Sequence, residues 1–422
     1  MKIFLYTCQY NKYMGGHFRS LLTTAKYLNI RGINTFVGLP ESLKKHCQNQ
    51  IDEIFPHKKI IWLPKNRFLP NELFLTRYIN NIIKSYKIDL IHSFCLSSHV
   101  ISYLIKFIYN KNLPICATIC GGTVGHKYPF SYPLIVYSEE LKEMMVDSYQ
   151  FDKDQIIIEK SRMDIELFKK KSYLNNESEL LSKKIHLDKK ILFITRLSSA
   201  KINAILLLFK GVIELSKKRK DFQLILVAHS ENSRILSIIE NKIFKINKEI
   251  GYDIIVHLKN WSSFSSNFYE SFDIVAGVAR VCFEGLINAK PTILVGNNGF
   301  SGIINVKDKK RFKKIIKTNF SSRDIKPQSN VQDISNAIEF LFNNPKIMYQ
   351  YGKDGKKWVE NNMDAKKSIK THIKIYKDLL KTKKQRILPL YNVLYSMILR
   401  WAGTVYNPIM NFISVHIKLK KL

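Results

Sequence analysis

Residues 273–296 read DIVAGVARVCFEGLINAKPTILVG. Two short apolar runs, IVAG and TILVG, bracket a short helical segment that holds one carboxylate, Glu284. Continuous apolar runs of this length, bounded by turn residues and separated by a helix, mark parallel strands buried on both faces. The alternation extends outward from this stretch. Upstream, KKILFIT, FQLILVAHS and DIIVHL read as strands, with INAILLLFKGVIELSKKR and NSRILSIIENKIFKINKEI as the helices between them. Farther upstream, KIFLYTC, NTFVGLP, DLIHSF, LPICATI and PLIVYS alternate with the helical FRSLLTTAKYLNIRG, TRYINNIIKSYK and SEELKEMMVDSYQ. The polar, lysine-rich segment ELFKKKSYLNNESELLSKK interrupts the two series and reads as a linker.

The expected fold class is therefore α/β, with two Rossmann-like lobes, a cleft between them, and a basic, apolar C-terminal helical tail. Residues 1–165 form the first lobe, 166–187 the linker and 188–365 the second lobe. Residues 366–385 form a helix that crosses back to the first lobe, and 386–422 the tail. A chain of 422 residues is too long for one ordinary core. Its 45% apolar content is enough to fill two. In parallel sheets ligands bind beyond the carboxyl ends of the strands, so chemistry is expected there.

Lys and Arg number 68 against 34 Asp and Glu, a formal charge of +34. That excess calls for an anionic partner, although a Lys/Ile/Asn-rich composition accounts for part of it. Nucleic acid is not the expected partner, because the strands lack interleaved aromatic and basic residues. The six cysteines are scattered without a C-x2-C pair, so neither a disulfide framework nor a zinc site is expected, and no metal. MKIFLYTC reads as a buried first strand and not as a leader, which points to the cytoplasm. From Leu379 onward the chain has eight Lys or Arg and no acid. With Trp401, Tyr391, Tyr395 and Tyr406 between basic flanks, Pro389 and Pro408 interrupting and Arg400 at the centre, the tail suits an anionic membrane surface better than a membrane span. Packing on the protein's own lobes is the other reading.

Three strand ends carry residues suited to chemistry. Gly15 and Gly16 follow the first strand and open a helix, where backbone N–H groups can meet an anion; a plain turn is the alternative. In ILFITRLSSAK, Arg196 ends a buried strand and Lys201 stands where a helix begins. A guanidinium fork, an ammonium and a helix dipole there all favour a diphosphate; a solvated loop is the alternative. Glu284 either balances a helix N-terminus, worth about 0.3–1 kcal/mol, or accepts hydrogen bonds from vicinal ribose hydroxyls. His92, at a strand end, and His126, in a Gly-rich loop, are weaker candidates. Arg162 in EKSRMD could meet phosphate or form an ion pair.

Taken in order, these segments resemble the retaining nucleotide-sugar glycosyltransferases of the GT-B fold, family 4-like, over nearly all of residues 1–380. The paired glycines before HFRSLLTTAKYLNIRGINTFVG are similar to that family's first βαβ unit. VYSEELKEMM resembles its Ser-anchored helix, and IEKSRMDIELF its interdomain segment with Asn and Gly replaced. ITRLSSAK resembles its diphosphate motif, ARVCFEGLINAKPTILVG its donor motif, and NNPKIMYQYGKDGKKWVENN its C-terminal helices. Two departures stand out. The first of the family's paired donor-site acids falls at Ala276, leaving Glu284, and Cys120 stands where many members carry His. The GVARV turn is similar to a branch in which Arg takes a donor contact, which here is Arg280 beside Val281.

The resemblance implies an enzyme that transfers a sugar from a UDP- or GDP-linked donor to a glycan or lipid-linked glycan acceptor in cell-surface polysaccharide synthesis. It implies that Arg196 and Lys201 stabilise the leaving diphosphate, with His126 and His92 as further catalytic candidates. Gly15, Gly16, Arg280, Val281 and Glu284 would contact the donor, and no cofactor is required. The enzyme would sit at the cytoplasmic face of the cell membrane. Two other readings stay open: a nucleotide-sugar epimerase of the same fold, and a weakened sugar-nucleotide-binding scaffold.

Overall fold

The structure is a computed structural model. It describes residues 1–382 except 11–12, 57–58, 66–70, 122–132, 150, 170–184, 199–200, 231, 259–265 and 328–329, and of the remainder only Ile398. His126, most of the linker and the tail therefore lie outside the described residues. The chain forms two compact units: Met1–Asp164 with the stretch from Met363, and Ile165–Asn362.

The first unit runs β1 (Lys2–Tyr6), α1 (Gly16–Ile30), β2 (Asn34–Pro40), α2 (Lys44–Ile54), β3 (Ile60–Leu63), α3 (Asn71–Tyr86), β4 (Leu90–Ser93), α4 (Leu96–Ile108), β5 (Ile115–Ile119), β6 (Leu134–Val136), α5 (Glu139–Tyr149) and β7 (Ile156–Ile158). Among the described residues seven strands pair in the order β3-β2-β1-β4-β5-β6-β7, every pair parallel. Parallel neighbours need a crossover between them, and the amphipathic helices supply it. The continuous apolar reading of these strands follows, since Ile3, Phe4, Leu5 and Tyr6 of β1 are all fully buried. The IRG sequence stops α1 in the expected way. Gly32, at φ 77°, donates to the Asn29 carbonyl at 2.9 Å while Ile33 donates to Leu28 at 3.0 Å, a Schellman ending. Ser138 Oγ caps α5 by accepting from the Leu141 N–H at 3.2 Å.

The second unit contains α6 (Ile165–Lys169), β8 (Lys189–Arg196), α7 (Ile202–Ser216), β9 (Phe222–His229), α8 (Ser233–Ile250), β10 (Ile255–Leu258), α9 (Ser266–Glu270), β11 (Ile274–Gly277), α10 (Arg280–Ile287), β12 (Thr292–Gly296), β13 (Gly299–Ile303), α11 (Lys309–Lys317), α12 (Val331–Asn343) and α13 (Pro345–Asn362). Among the described residues six strands pair in the order β10-β9-β8-β11-β12-β13, parallel except for the β12–β13 edge. The strand order reverses between β8 and β11, so the crevice beyond their carboxyl ends is this sheet's switch point. Two glycines bring α10 close to its neighbours. A Cβ on Gly285 would meet Val275 and Thr292 of the sheet, and one on Gly355 would meet Leu286 from α13. A last helix, α14 (Ala365–Lys381), returns to the first unit and packs on α1. Asp364 caps it through the Lys366 N–H at 2.8 Å.

Candidate functional site

The switch point of the second unit gathers the charged residues expected there. Arg196 is the last residue of β8 and is exposed. Lys201 is the residue on which α7 opens, with its backbone N–H tied to the Ser198 carbonyl at 2.8 Å. Burial, followed by the positive charges of Arg196 and Arg323, lowers the Lys201 ammonium from its usual range. Both neighbouring charges that act on Lys201 therefore have its own sign. Such a cluster at a helix N-terminus and a sheet switch point is arranged for a polyanion.

Arg323 carries no motif in the sequence and was not among the expected residues. It sits in NFSSRD, residues 319–324, where Asn319, Phe320 and Ser322 all have positive φ (52°, 56° and 63°). Across from it Ala279, at φ 50°, donates its N–H to the Phe320 carbonyl at 2.6 Å. Left-handed backbone costs a non-glycine residue about 1–2 kcal/mol, with Asn the most tolerant of these four. Strain of this kind persists only where surrounding contacts hold it. Here Phe320 is wedged edge-on against Phe283 and Phe312, with centroids 4.9 and 5.8 Å away.

Glu284 and Arg280 were expected as separate donor contacts. The helix spacing joins them instead. Arg280 Nε donates to Glu284 Oε1 at 2.8 Å, and Tyr269 Oη donates to Oε2 at 2.8 Å. Glu284 is only 4% exposed and lies in the second turn of α10, past the helix start, with both carboxylate oxygens accepting from side chains of its own unit. Its carboxylate orients Arg280 at the turn after β11. Val281 packs over that turn, where a Cβ on Gly277 would lie 2.6 Å from Val281 Cγ1.

In the first unit Gly15 is the N-cap of α1, and a Cβ on Gly16 would meet nothing within 4 Å. A Cβ on Gly15 would lie 3.4 Å from His17 Nδ1, an ordinary contact, and neither glycine needs positive φ.

His92 departs from its expected role. It is fully buried, with Nδ1 2.6 Å from Tyr376 Oη and Nε2 2.7 Å from Thr118 Oγ1. Both ring nitrogens are occupied by the unit's own hydroxyls, which leaves neither for a substrate. Burial, then the charges of His372 and Arg162, holds the ring neutral. Polar partners on β5 and α14 are ordinary satisfaction of a buried imidazole, and a short strand gives no sign of them.

Of the two readings for Arg162, the ion pair is the one observed. Its guanidinium is completely buried, with Nη1 donating to Glu159 Oε2 at 2.6 Å and Nη2 to Thr24 Oγ1 at 2.9 Å. His372 from α14 completes the cluster, its Nδ1 2.7 Å from Glu159 Oε2 and its Nε2 2.7 Å from Arg162 Nη1. One neutral tautomer satisfies both: Nδ1–H donates to the carboxylate and Nε2 accepts from the guanidinium. Burial pushes the Glu159 carboxyl up, but Arg162 and His372 outweigh it and hold it at about 2. Cys120, at the position where the resembled family often has His, has its thiol pushed up to about 12, first by burial. It is therefore protonated at neutral pH.

Among the described residues no group of His, Cys, Asp and Glu is placed to hold a metal ion. Among them, too, no helix is long and apolar enough to cross a membrane.

No protein-family model matches the sequence, and no curated protein is significantly similar to it. Solved structures do match the fold. A glycosyltransferase from Rickettsia africae ESF-5 is 20% identical, with a TM-score of 0.65 over 90% of this chain and 99% of its own. Anabaena Alr3699/HepE, in complex with UDP and glucose, is 14% identical, with a TM-score of 0.64 over 90% of this chain and all of that one. The UDP-GlcNAc 2-epimerase from Neisseria meningitidis, bound to UDP-GlcNAc, is 13% identical, with a TM-score of 0.57 over 90% and 100%. At these identities the likeness establishes the two-domain GT-B fold.

Proposed function

We propose that the second unit binds a nucleotide-diphosphate sugar, UDP- or GDP-linked, and that the chain is a retaining hexosyltransferase. The observation that carries this reading is the convergence of Arg196, Lys201 and the N-terminus of α7 on the switch point. As the bond from the anomeric carbon to the diphosphate breaks, negative charge grows on the phosphate oxygens. Fixed cations and helix N–H groups stabilise that charge without reorganising. The acceptor hydroxyl attacks from the same face, its oxygen bonds to the anomeric carbon, and its proton passes to the leaving phosphate. No metal or cofactor enters this scheme.

The acceptor is a glycan or lipid-linked glycan of cell-surface polysaccharide synthesis. The basic tail, 386–422, holds the enzyme at the anionic cytoplasmic leaflet where such an acceptor resides. The Rickettsia africae glycosyltransferase supports the transferase reading, and the Anabaena neighbour, in complex with UDP and glucose, supports a nucleotide and a sugar in such a site.

The Neisseria meningitidis epimerase, of the same fold and bound to UDP-GlcNAc, supports a second reading, a sugar-nucleotide epimerase. One assay separates the two. The protein is incubated with a panel of UDP- and GDP-sugars, and the released sugar is followed by NMR. Release or transfer with retained anomeric configuration supports the transferase. A sugar inverted at C2 and still attached to its nucleotide supports the epimerase. A panel of which no member binds would overturn the donor site itself.

A further inference from the structure

We infer that the NFSSRD turn, 319–324, is a further wall of this donor site, and that Arg323 binds the second phosphate and so selects a diphosphate over a monophosphate. The inference rests on the nucleotide-diphosphate reading of the site.

The turn is fastened to the carboxyl end of the sheet on both sides of Arg323. Before it, Ser322 Oγ accepts from the Asn298 N–H at 3.3 Å and covers Gly296, the last residue of β12. After it, Asp324 accepts from Ser301 Oγ at 2.9 Å, and Asn298 Nδ2 donates to the Ile325 carbonyl at 3.1 Å. The bond from Ala279 to Phe320 joins the same turn to the start of α10. These anchors hold Arg323 at the carboxyl end of β12 and beside the start of α10, which carries Arg280, with β11 between it and the β8 end that carries Arg196.

A solvated connection has no need of three consecutive-neighbourhood residues in left-handed backbone, one of them a phenylalanine. Strain maintained by several anchors is characteristic of a loop that presents a side chain in one position. The electrostatics agree, because Lys201 feels Arg323 as it feels Arg196. A nucleoside monophosphate carries up to about two negative charges, which two cations match; the nucleoside diphosphate that leaves the donor carries about three and leaves work for a third cation. The planar guanidinium fork suits the two oxygens of a terminal phosphate. Ser321 Oγ, enclosed and making no hydrogen bond in the structure, adds a hydroxyl donor in the same turn.

Isothermal titration of the full chain with UDP, UMP, GDP and GMP tests the inference, with Arg196→Ala as the reference variant. Arg323→Ala is expected to weaken the diphosphate on the order of tenfold and the matching monophosphate by no more than about twofold. Arg323→Lys should recover part of the loss. Unchanged diphosphate affinity in Arg323→Ala, beside a clear loss in Arg196→Ala, overturns the role of Arg323 and leaves the proposed function standing. Equal losses for diphosphate and monophosphate also overturn it, since that is the signature of a purely structural residue. A wild-type protein that binds neither diphosphate removes both readings together. Thermal melts without ligand show whether Arg323→Ala is folded; if it is not, Arg323→Gln carries the same comparison.

Discussion

Each unit of this protein gathers arginine with other ionisable groups, and the two gatherings are built on opposite principles. Around Arg162 the charges are matched. Glu159, His372, Thr24 and Tyr137 surround a guanidinium that is 0% exposed; both of its terminal nitrogens have partners from the chain, while Arg162 Nε and Glu159 Oε1 make no hydrogen bond. Around Lys201 the charges are alike, and Arg196 remains open to solvent. A buried cluster can be retained only if its members compensate one another, because the desolvation of an unmatched charge costs several kcal/mol. A half-exposed cluster of one sign can be retained if something else brings the opposite sign. The first arrangement serves the fold, and the second is suited to a ligand.

That contrast can be broken most directly at Arg162. Arg162→Ala leaves Glu159 buried without its strongest partner, and urea denaturation should show a loss of about 3–5 kcal/mol. A loss under about 1 kcal/mol would show that the cluster is not a structural anchor. Arg196→Ala should do the reverse. Its unfolding midpoint should stay within about 0.5 kcal/mol of wild type, while UDP or GDP affinity falls on the order of 10- to 100-fold. A destabilised Arg196→Ala with unchanged affinity would erase the distinction between the two clusters.

Acid titration sharpens the comparison. His92 and His372 are kept neutral below their ordinary value of 6.5, chiefly by burial, so the unfolded chain binds their protons first. Stability is therefore expected to decline as pH falls below about 6.5. Glu159, held at about 2 against an ordinary 4.5, adds a second decline that begins near 4.5 and is complete only below 2. His372→Gln should remove part of the first phase and shrink the second, because His372 helps Arg162 to hold the Glu159 carboxyl down. The smallest effect is expected from Glu284→Gln. It keeps an acceptor for Tyr269 while discharging the pair with Arg280, and should cost about 1 kcal/mol of stability with a modest loss of diphosphate affinity.

The paired contacts explain why some residues could be read in advance and others could not. Arg196 and Lys201 are five residues apart, on a strand end and a helix start, so local pattern was enough to bring them together. Arg280 and Glu284 are one helical turn apart; their spacing was visible, but their mutual ion pair was not read from it. His372 reaches Arg162 across 210 positions, and His92 meets Tyr376 across 284. A lone histidine in DLIHSF is the same letter whether it faces substrate or a buried tyrosine. Arg323 stands in a polar turn with no periodic neighbours, and nothing but the folded backbone brings it to the site.

By itself the sequence determined two mainly parallel α/β sheets, without the antiparallel β13 edge of the second, because hydrophobic periodicity, helix stops such as IRG and strand-end glycines are all local signals. It also determined which strand end would hold the cations of β8, since that requires only a short apolar run followed by a helix. Tertiary structure alone decided which charges are matched. Glu284 is tied to Arg280 and Tyr269, His92 is closed off in the first unit, and Arg323 joins the cation cluster in the second. The physical reason is that compensation of a charge depends on distance in space, and sheet topology places residues side by side that the chain holds far apart.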